Sequence, residues 1–359
     1  MTRLRRADCT APGITRRRRG RGFEYFFAAT GERVDDPEMI ARIRDLVIPP
    51  AWKDVWICPH PNGHIQAIGT DAAGRKQYMY HVKWRQRRDA QKFDRMLDFA
   101  RRLPDLRRVC SKHLQEPGMG RERVLACATR LLDHGFFRIG TESYAEQNKT
   151  YGLATMKKRH VSLRGDIITF DYVAKSGRRR VQSIVDQDVF DVVSALKRRN
   201  SGSDELLAYK VARTWVDVRS GDINNFIKEA AGGDFTAKDF RTWNATVLAA
   251  VAMAISGAAA YSRTARKRAE ARAIQEVAHY LGNTPAVCRA SYIDPRIFDR
   301  YHSGWTIAGA IEALGEGAAF GEPSTQGPVE EAVIDLLEDN KDSDAVERTA
   351  DLTAMGGLS

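Results

Sequence analysis

One tyrosine and four cations of this chain stand where they could do covalent chemistry. Tyr292 sits in "GNTPAVCRASYIDPRIF", between a polar turn at Gly282-Asn283-Thr284-Pro285 and a second break at Asp294-Pro295. A phenol with a pKa near 10 costs roughly 4 kcal/mol to ionise at pH 7, so a nucleophilic tyrosine needs cations or a base beside it. A phosphodiester target adds two demands: donors for the phosphoryl oxygens and an acid for the leaving oxygen. Arginine meets the first, because its planar fork contacts two oxygens and stays charged. Lysine meets the second, because crowding by other cations lowers its pKa. "GFFRIG" places Arg138 directly after a helix stop, and "FDYVAKSGRRR" places Lys175 at a hairpin tip. "FTAKDFRTWNAT" places Lys238 and Arg241 one helical turn apart on a shared face. Taken singly, each cation is equally a solvated surface charge, and Tyr292 is equally a half-buried tyrosine in a short helix.

The elements that must position these groups can be read from periodicity. "DVWICP", "HIQAIGT" and "KQYMYH" are strand-like runs separated by the turns "HPNG" and "DAAGR". From Trp84 the pattern becomes helical, with Phe93, Met96, Leu97 and Ala100 on one face. "RVLACATRLLDHG" predicts a helix that stops at Gly135, just before Arg138, and residues 184–198 predict another. Between them "HVSLRGDIITFDYVAKSGRRRVQ" alternates as a hairpin whose second turn carries Lys175. Gly282 closes one helix, and Thr284-Pro285 reads as N-cap and first residue of the next, which puts Tyr292 near that helix's end.

The chain has 359 residues, is 43% hydrophobic and carries a net charge of +11. Residues 1–22 hold eight Arg and one Asp, whereas residues 322–359 hold ten acidic and two basic residues, which leaves +12 on the body between them. A basic body with a basic arm points to an anionic polymer, nucleic acid first. The five cysteines show no C-x-x-C spacing and the eight histidines are scattered, so no structural zinc site is expected, and reduced cytoplasmic thiols are. The apolar run "ATVLAAVAMAISGAAA" is too short and Ala-rich to span a bilayer and reads as a buried helix, so no membrane role is expected. There is no G-x-x-x-x-G-K-[ST] loop and no DxD-type acidic cluster, which argues against a nucleotide cofactor and a catalytic metal.

Taken together and in order, Arg in "FFRIG", Lys on a β-hairpin, "K-x-x-R-T-W" and the "GNTP…SYIDP" block resemble the poxvirus-type DNA topoisomerases IB that also occur in bacteria. The stretch "IPPAWKDVWICPHPNGHIQAIGTDAAGRKQYMYH" resembles that family's DNA-clamping β-domain, and the likeness covers about residues 23–315. Four of the family's five active-site positions match directly, at Arg138, Lys175, Arg241 and Tyr292. The fifth, often His, is Asn283. The resemblance implies an ATP- and metal-independent enzyme that cleaves one strand of duplex DNA through a 3′-phosphotyrosyl link, relaxes supercoils of either sign and reseals, acting as a monomer clamped around the duplex. Lys238 would assist Lys175. Gln77, Tyr78, Tyr80 and Tyr144 would contact DNA, as would Arg75, Lys76 and Arg289.

The expected fold is α+β: a basic flexible arm (1–22), a β-rich clamp (23–100), a mainly helical catalytic domain with a small β-hairpin insert (101–320), and an acidic tail (321–359), disordered or partly helical. Two other readings stand beside this one. A tyrosine recombinase uses similar chemistry but typically carries an H-x-x-R box, where this chain has Lys238-Asp-Phe-Arg241, and its catalytic domain lacks such a clamp. A DNA-binding architectural protein with a decayed site is the other.

Overall fold

The computed structural model describes residues 3–257, 262–314 and 325–348. The chain divides into two compact units, one up to Phe93 and one from Asp94 onward. The first holds a five-stranded antiparallel sheet of order β2-β1-β3-β4-β5 and one helix. Its elements are β1 (Ile14–Arg19), β2 (Gly22–Phe27), α1 (Pro37–Asp45), β3 (Lys53–Ile57), β4 (Ile65–Thr70) and β5 (Lys76–Tyr80). Strand alternation turns Val55 and Ile57 of β3 inward, where they meet Ile14, Val34, Ile43 and Ala67 in the core. Asp36 caps α1 by accepting from Glu38 N at 3.0 Å, and Pro37 opens the helix.

Within the arm expected over residues 1–22, Ile14–Arg19 form a strand of this sheet. β1 pairs with β2 along its whole length and with β3 through Ile14 and Thr15. Two of its arginines rest on rings of the partner strand: the Arg16 guanidinium covers Phe23 at 4.1 Å and the Arg17 guanidinium covers Phe26 at 4.6 Å. Arg16 also donates to the carbonyls of Ile48, Pro49 and Trp52 at 3.2, 2.7 and 2.9 Å, so it is a strut rather than a free phosphate contact.

Helix α2 (Val82–Leu114) leads on to α3 (Arg121–Gly135), α4 (Glu142–Asn148), a three-stranded sheet of β6 (Val161–Arg164), β7 (Ile167–Ala174) and β8 (Arg178–Val185), and α5 (Gln187–Arg198). Then come a hairpin of β9 (Ala208–Val211) and β10 (Thr214–Asp217), α6 (Ser220–Ala231), α7 (Ala237–Gly257), α8 (Arg263–Leu281), α9 (Pro285–Ser291) and α10 (Arg296–His302). Short β11 (Trp305–Thr306), α11 (Ala308–Leu314), α12 (Pro328–Leu337) and β12 (Glu347–Arg348) complete the list. The expected hairpin around Lys175 is present as β7 and β8, joined to a third strand, while the β9–β10 hairpin had no counterpart in the expectations. The core of the second unit gathers on α3, which is buried from Val124 to Thr129, and on the Ala-rich α7, whose small side chains permit close helix packing. Within the acidic segment, α12 is an ordered helix that buries Val329, Ala332, Val333, Leu336 and Leu337. No described helix is long and apolar enough to cross a membrane.

Candidate active site

Arg138 is delivered by a helix stop and a glycine contact. α3 ends at Phe136 in the left-handed conformation, and Phe137 anchors the exit by packing edge-on against Phe170 at 4.9 Å. The chain beyond is pinned by Leu153 N to Arg138 O at 2.8 Å and Ala154 N to Ile139 O at 2.7 Å. Those bonds require Gly140 and Gly152 to touch: a Cβ on Gly152 would lie 2.5 Å from the Gly140 backbone and 2.6 Å from Arg138 O. The Arg138 guanidinium then donates to Asn283 Oδ1 and, at 3.4 Å, to Gly282 O.

Arg241 comes from the second turn of α7 and is only 5% exposed. Its two terminal nitrogens donate to Phe136 O at 2.6 Å and Leu281 O at 2.9 Å, carbonyls left over where α3 and α8 end. The guanidinium thus stands at the negative ends of two helices. Burial pushes its pKa down to about 10, and the nearby Arg138 charge adds to the effect. It lies 5.2 Å from the centre of the Tyr292 ring.

Tyr292 is the residue that closes α9. Thr284 Oγ1 caps that helix by accepting from Val287 N at 3.3 Å, and Tyr292 N donates to Cys288 O at 2.9 Å. Thr246 of α7 fixes the exit, its Oγ1 accepting from Asp294 N at 3.1 Å and lying 3.3 Å from Tyr292 O. The phenol is half-buried. Burial alone would raise its pKa, but the charges of Arg241, Arg138 and Lys238 outweigh this and hold it below its ordinary value.

Lys175 stands exposed at the β7–β8 tip, where Ser176 and Gly177 turn the chain with φ of 66° and 70°. Lys238 is exposed in the first turn of α7. Arg138, Lys175, Lys238, Arg241 and Tyr292 line a single cleft of about 300 Å³, together with Ile139, Gly140, Thr141, Thr150, Tyr151 and Ala237. Every charged side chain on that lining is a cation. Asn283 joins through Arg138, and its Nδ2 is buried without a partner in the protein. Among the described residues, no cluster of three His, Cys, Asp or Glu side chains stands ready to hold a metal.

Residues 81–304 match the family model for the catalytic core of eukaryotic DNA topoisomerase I, and residues 22–71 match that for the N-terminal domain of bacterial DNA topoisomerase IB. The chain is 34% identical over 292 residues to DNA topoisomerase 1B of Acanthamoeba polyphaga mimivirus, an alignment covering 78% of this chain and 85% of that protein. The chain belongs to the type IB DNA topoisomerase family. It is also 30% identical over 111 residues to DNA topoisomerase 1B of vaccinia virus (strain Western Reserve), covering 30% of this chain and 34% of the relative. With DNA topoisomerase 1 of Daucus carota it shares 30% identity over 129 residues, which is 35% of this chain but 15% of the longer plant protein.

The other residues expected to contact DNA have distinct local surroundings. Tyr78 and Tyr80 share one face of β5, are 43% and 40% exposed, and stack at 6.2 Å. Lys76 lies 5.9 Å from the Tyr78 ring. Gln77 and Arg75 both donate to Asp71 at 2.9 Å, which leaves their side chains engaged at the turn. Arg289, one turn before Tyr292, is ion-paired with buried Glu270, which His302 also meets at 2.8 Å. Tyr144 lies on α4, but its side chain is outside the described residues. Sequence reasoning missed Arg180, which donates to His279 O at 2.9 Å and Tyr280 O at 2.6 Å and braces the end of α8. It also missed Thr150, whose buried hydroxyl beside the cleft has no partner. Neither carries a local signal: the partners of Arg180 lie about a hundred residues on, and Thr150 meets the cleft only once distant segments are folded around it.

Proposed function

We propose that this topoisomerase works on double-stranded DNA, as a monomer, by in-line attack of Tyr292 on a backbone phosphorus. The Tyr292 Oη–P bond forms as the P–O5′ bond breaks, giving a 3′-phosphotyrosyl link and a free 5′-hydroxyl. The phenol loses its proton to solvent, a loss favoured by the neighbouring cations. Arg138 and Arg241 hold the non-bridging oxygens, each such donor being worth roughly 10²–10³ in rate. Lys175 protonates the leaving O5′, with Lys238 beside it, and Asn283 Nδ2 donates to a non-bridging oxygen. The phosphodiester energy is kept in the covalent link, so resealing is the same step reversed and uses no ATP. The free end rotates in between, which relaxes supercoils of either sign.

The observation that carries this reading is the convergence of Tyr292, Arg138, Arg241, Lys175 and Lys238 on one all-cationic cleft from segments spread over residues 138–292. The test is covalent trapping on a denaturing gel. Tyr292→Phe is expected to abolish the protein–DNA adduct while leaving DNA affinity nearly intact, and an adduct formed by that variant removes Tyr292 from the role. Relaxation of both positively and negatively supercoiled plasmid by the parent protein in EDTA, without ATP, is the companion measurement.

A further inference from the structure

Helix α12 lies beyond the segment matched by the catalytic-core family model, yet its first turn reaches into the catalytic unit. Glu330 is 8% exposed and its carboxylate is fully engaged. Oε2 accepts from Arg107 Nη1 at 2.5 Å, and Oε1 accepts from Arg107 Nη2 at 2.9 Å and from Trp243 Nε1 at 2.8 Å. Arg107 in turn grips Asp133 through Nε at 2.8 Å and Nη2 at 3.0 Å. Asn244 Nδ2 closes the ring by donating to Asp133 O at 2.8 Å. Burial would lower the Arg107 pKa, but the two carboxylates reverse that and hold it above its ordinary value, so it is charged throughout the accessible pH range.

The two helices clasped by this ring lead to the arginines of the cleft: α7 carries Arg241, and α3 ends at Gly135, just before Arg138. Asp133 is in the last turn of α3, just ahead of Phe136, whose carbonyl receives Arg241, and of Arg138 itself. Trp243 and Asn244 follow Arg241 on α7. A buried ion network of this kind is weak as a source of net stability, since well-packed apolar side chains often do as well. Its strength is geometric: bidentate charged contacts fix orientation.

We propose that Glu330 is a positioning residue of the reaction. Acting through Trp243 on α7 and through Arg107 and Asp133 on α3, it holds Arg138 and Arg241 in the orientation that faces Tyr292. The inference rests on the roles given above to the two arginines. Displacing catalytic groups by about 1 Å costs on the order of 100-fold in rate. Glu330→Gln keeps shape but weakens the grip on Arg107, and Trp243→Phe keeps the packed ring but removes the indole N–H.

The experiment measures single-turnover adduct formation on a suicide duplex, equilibrium DNA affinity and thermal midpoint for the full-length parent, Glu330→Gln, Trp243→Phe, Arg241→Ala and the Glu330→Gln/Arg241→Ala double variant, below every midpoint. Both single clasp variants are expected to slow adduct formation by roughly 10- to 100-fold, with affinity within about threefold of the parent. In the Arg241→Ala background Glu330→Gln is expected to add less than it does alone, because one of the two groups it orients is gone. Unchanged adduct rates in both clasp variants overturn the proposal, as does the same slowing in both backgrounds, which marks a general structural role. Should Glu330→Gln not fold, Trp243→Phe, alone and combined with Arg241→Ala, carries the same comparison. Parent-like adduct formation by Arg241→Ala is a separate outcome: it removes the proposed role of Arg241 rather than the clasp.

Discussion

Replacing Arg241 by Met separates its structural work from its chemical work. The side chain keeps an unbranched, flexible stem and loses the guanidinium with its charge. In the folded protein burial brings the guanidinium down from its ordinary value to about 10. That difference corresponds to roughly 3 kcal/mol of destabilisation at neutral pH. Because the folded value is the lower one, the cost is absent where the group is neutral in both states, grows as pH falls through the ordinary guanidinium value towards 10 and is complete below it. Removing the charge relieves this cost. It also removes the two bonds to Phe136 O and Leu281 O, at 2.6 and 2.9 Å, each worth about 1.5–3 kcal/mol for a charged donor. The expected net change is therefore between none and a loss of about 3 kcal/mol. In a unit of this size that lowers the thermal midpoint by no more than about 10 °C.

Activity is expected to fall much further. Loss of one preorganised donor to the phosphoryl oxygens costs roughly 10²–10³ in adduct formation. The pH dependence is expected to move as well. Burial already pushes the Tyr292 phenol up, and Arg241 is the largest charge opposing it, so its removal raises the phenol's pKa and shifts the rising limb of the cleavage profile to higher pH. The assay is single-turnover adduct formation across pH, with thermal unfolding alongside. Adduct formation near the parent rate would refute the catalytic assignment. A slower rate with an unmoved pH profile would refute the electrostatic reasoning about Tyr292, and collapse of the fold would refute the balance of burial against hydrogen bonding.

Lys175→Ala is expected to cleave an ordinary duplex slowly but a 5′-phosphorothiolate duplex at close to the parent rate, since that leaving group needs no acid; slow cleavage of both counts against Lys175 as the acid. Thr246→Val is expected to cost about 1–3 kcal/mol by stranding Asp294 N, and to slow adduct formation by loosening the Tyr292 exit, both readable from unfolding curves and trapping gels. Arg16→Ala is expected to destabilise the N-terminal sheet while leaving the salt dependence of DNA binding unchanged, whereas Arg18→Ala, at an exposed position of the same strand, is expected to reduce that slope by about 0.9 if it touches a phosphate. An altered slope with Arg16→Ala would contradict its assignment as a strut.

What could be read from the sequence was local. The Thr284 cap, the first-turn Pro285, the stop at Gly135 and the hairpin tip at Lys175 each depend on neighbours within a few residues, and each predicted where a site residue leaves its element. The tandem arginines of β1 misled because a run of charges has no apolar alternation; only the partner strand reveals that Phe23 and Phe26 lie beneath the guanidinium groups of Arg16 and Arg17. The partners of Arg241 were equally invisible, since Phe136 and Leu281 contribute carbonyls, which no side-chain pattern encodes. The clasp by Glu330 was hidden for a third reason: a tail rich in acidic residues looks solvated until Arg107 and Trp243 are placed beside one of them.

Asn283 shows how such distant contacts change the meaning of a residue that is legible by itself. Set against a histidine, it looks like a loss, because an amide cannot pass a proton. The guanidinium of Arg138 has no acceptor, so the oxygen of the amide must face it, and the nitrogen is thereby aimed away from Arg138, buried and without a partner in the protein. An unmet buried donor costs about 1–3 kcal/mol until an acceptor arrives. In the proposed mechanism a phosphoryl oxygen supplies that acceptor. A neutral imidazole can accept from Arg138 and donate to the phosphate only in one tautomer, and once protonated it can no longer accept. The amide does both at any pH. In the proposed mechanism, then, Asn283 gives up acid chemistry, which Lys175 already provides, and keeps the link between Arg138 and the substrate independent of protonation.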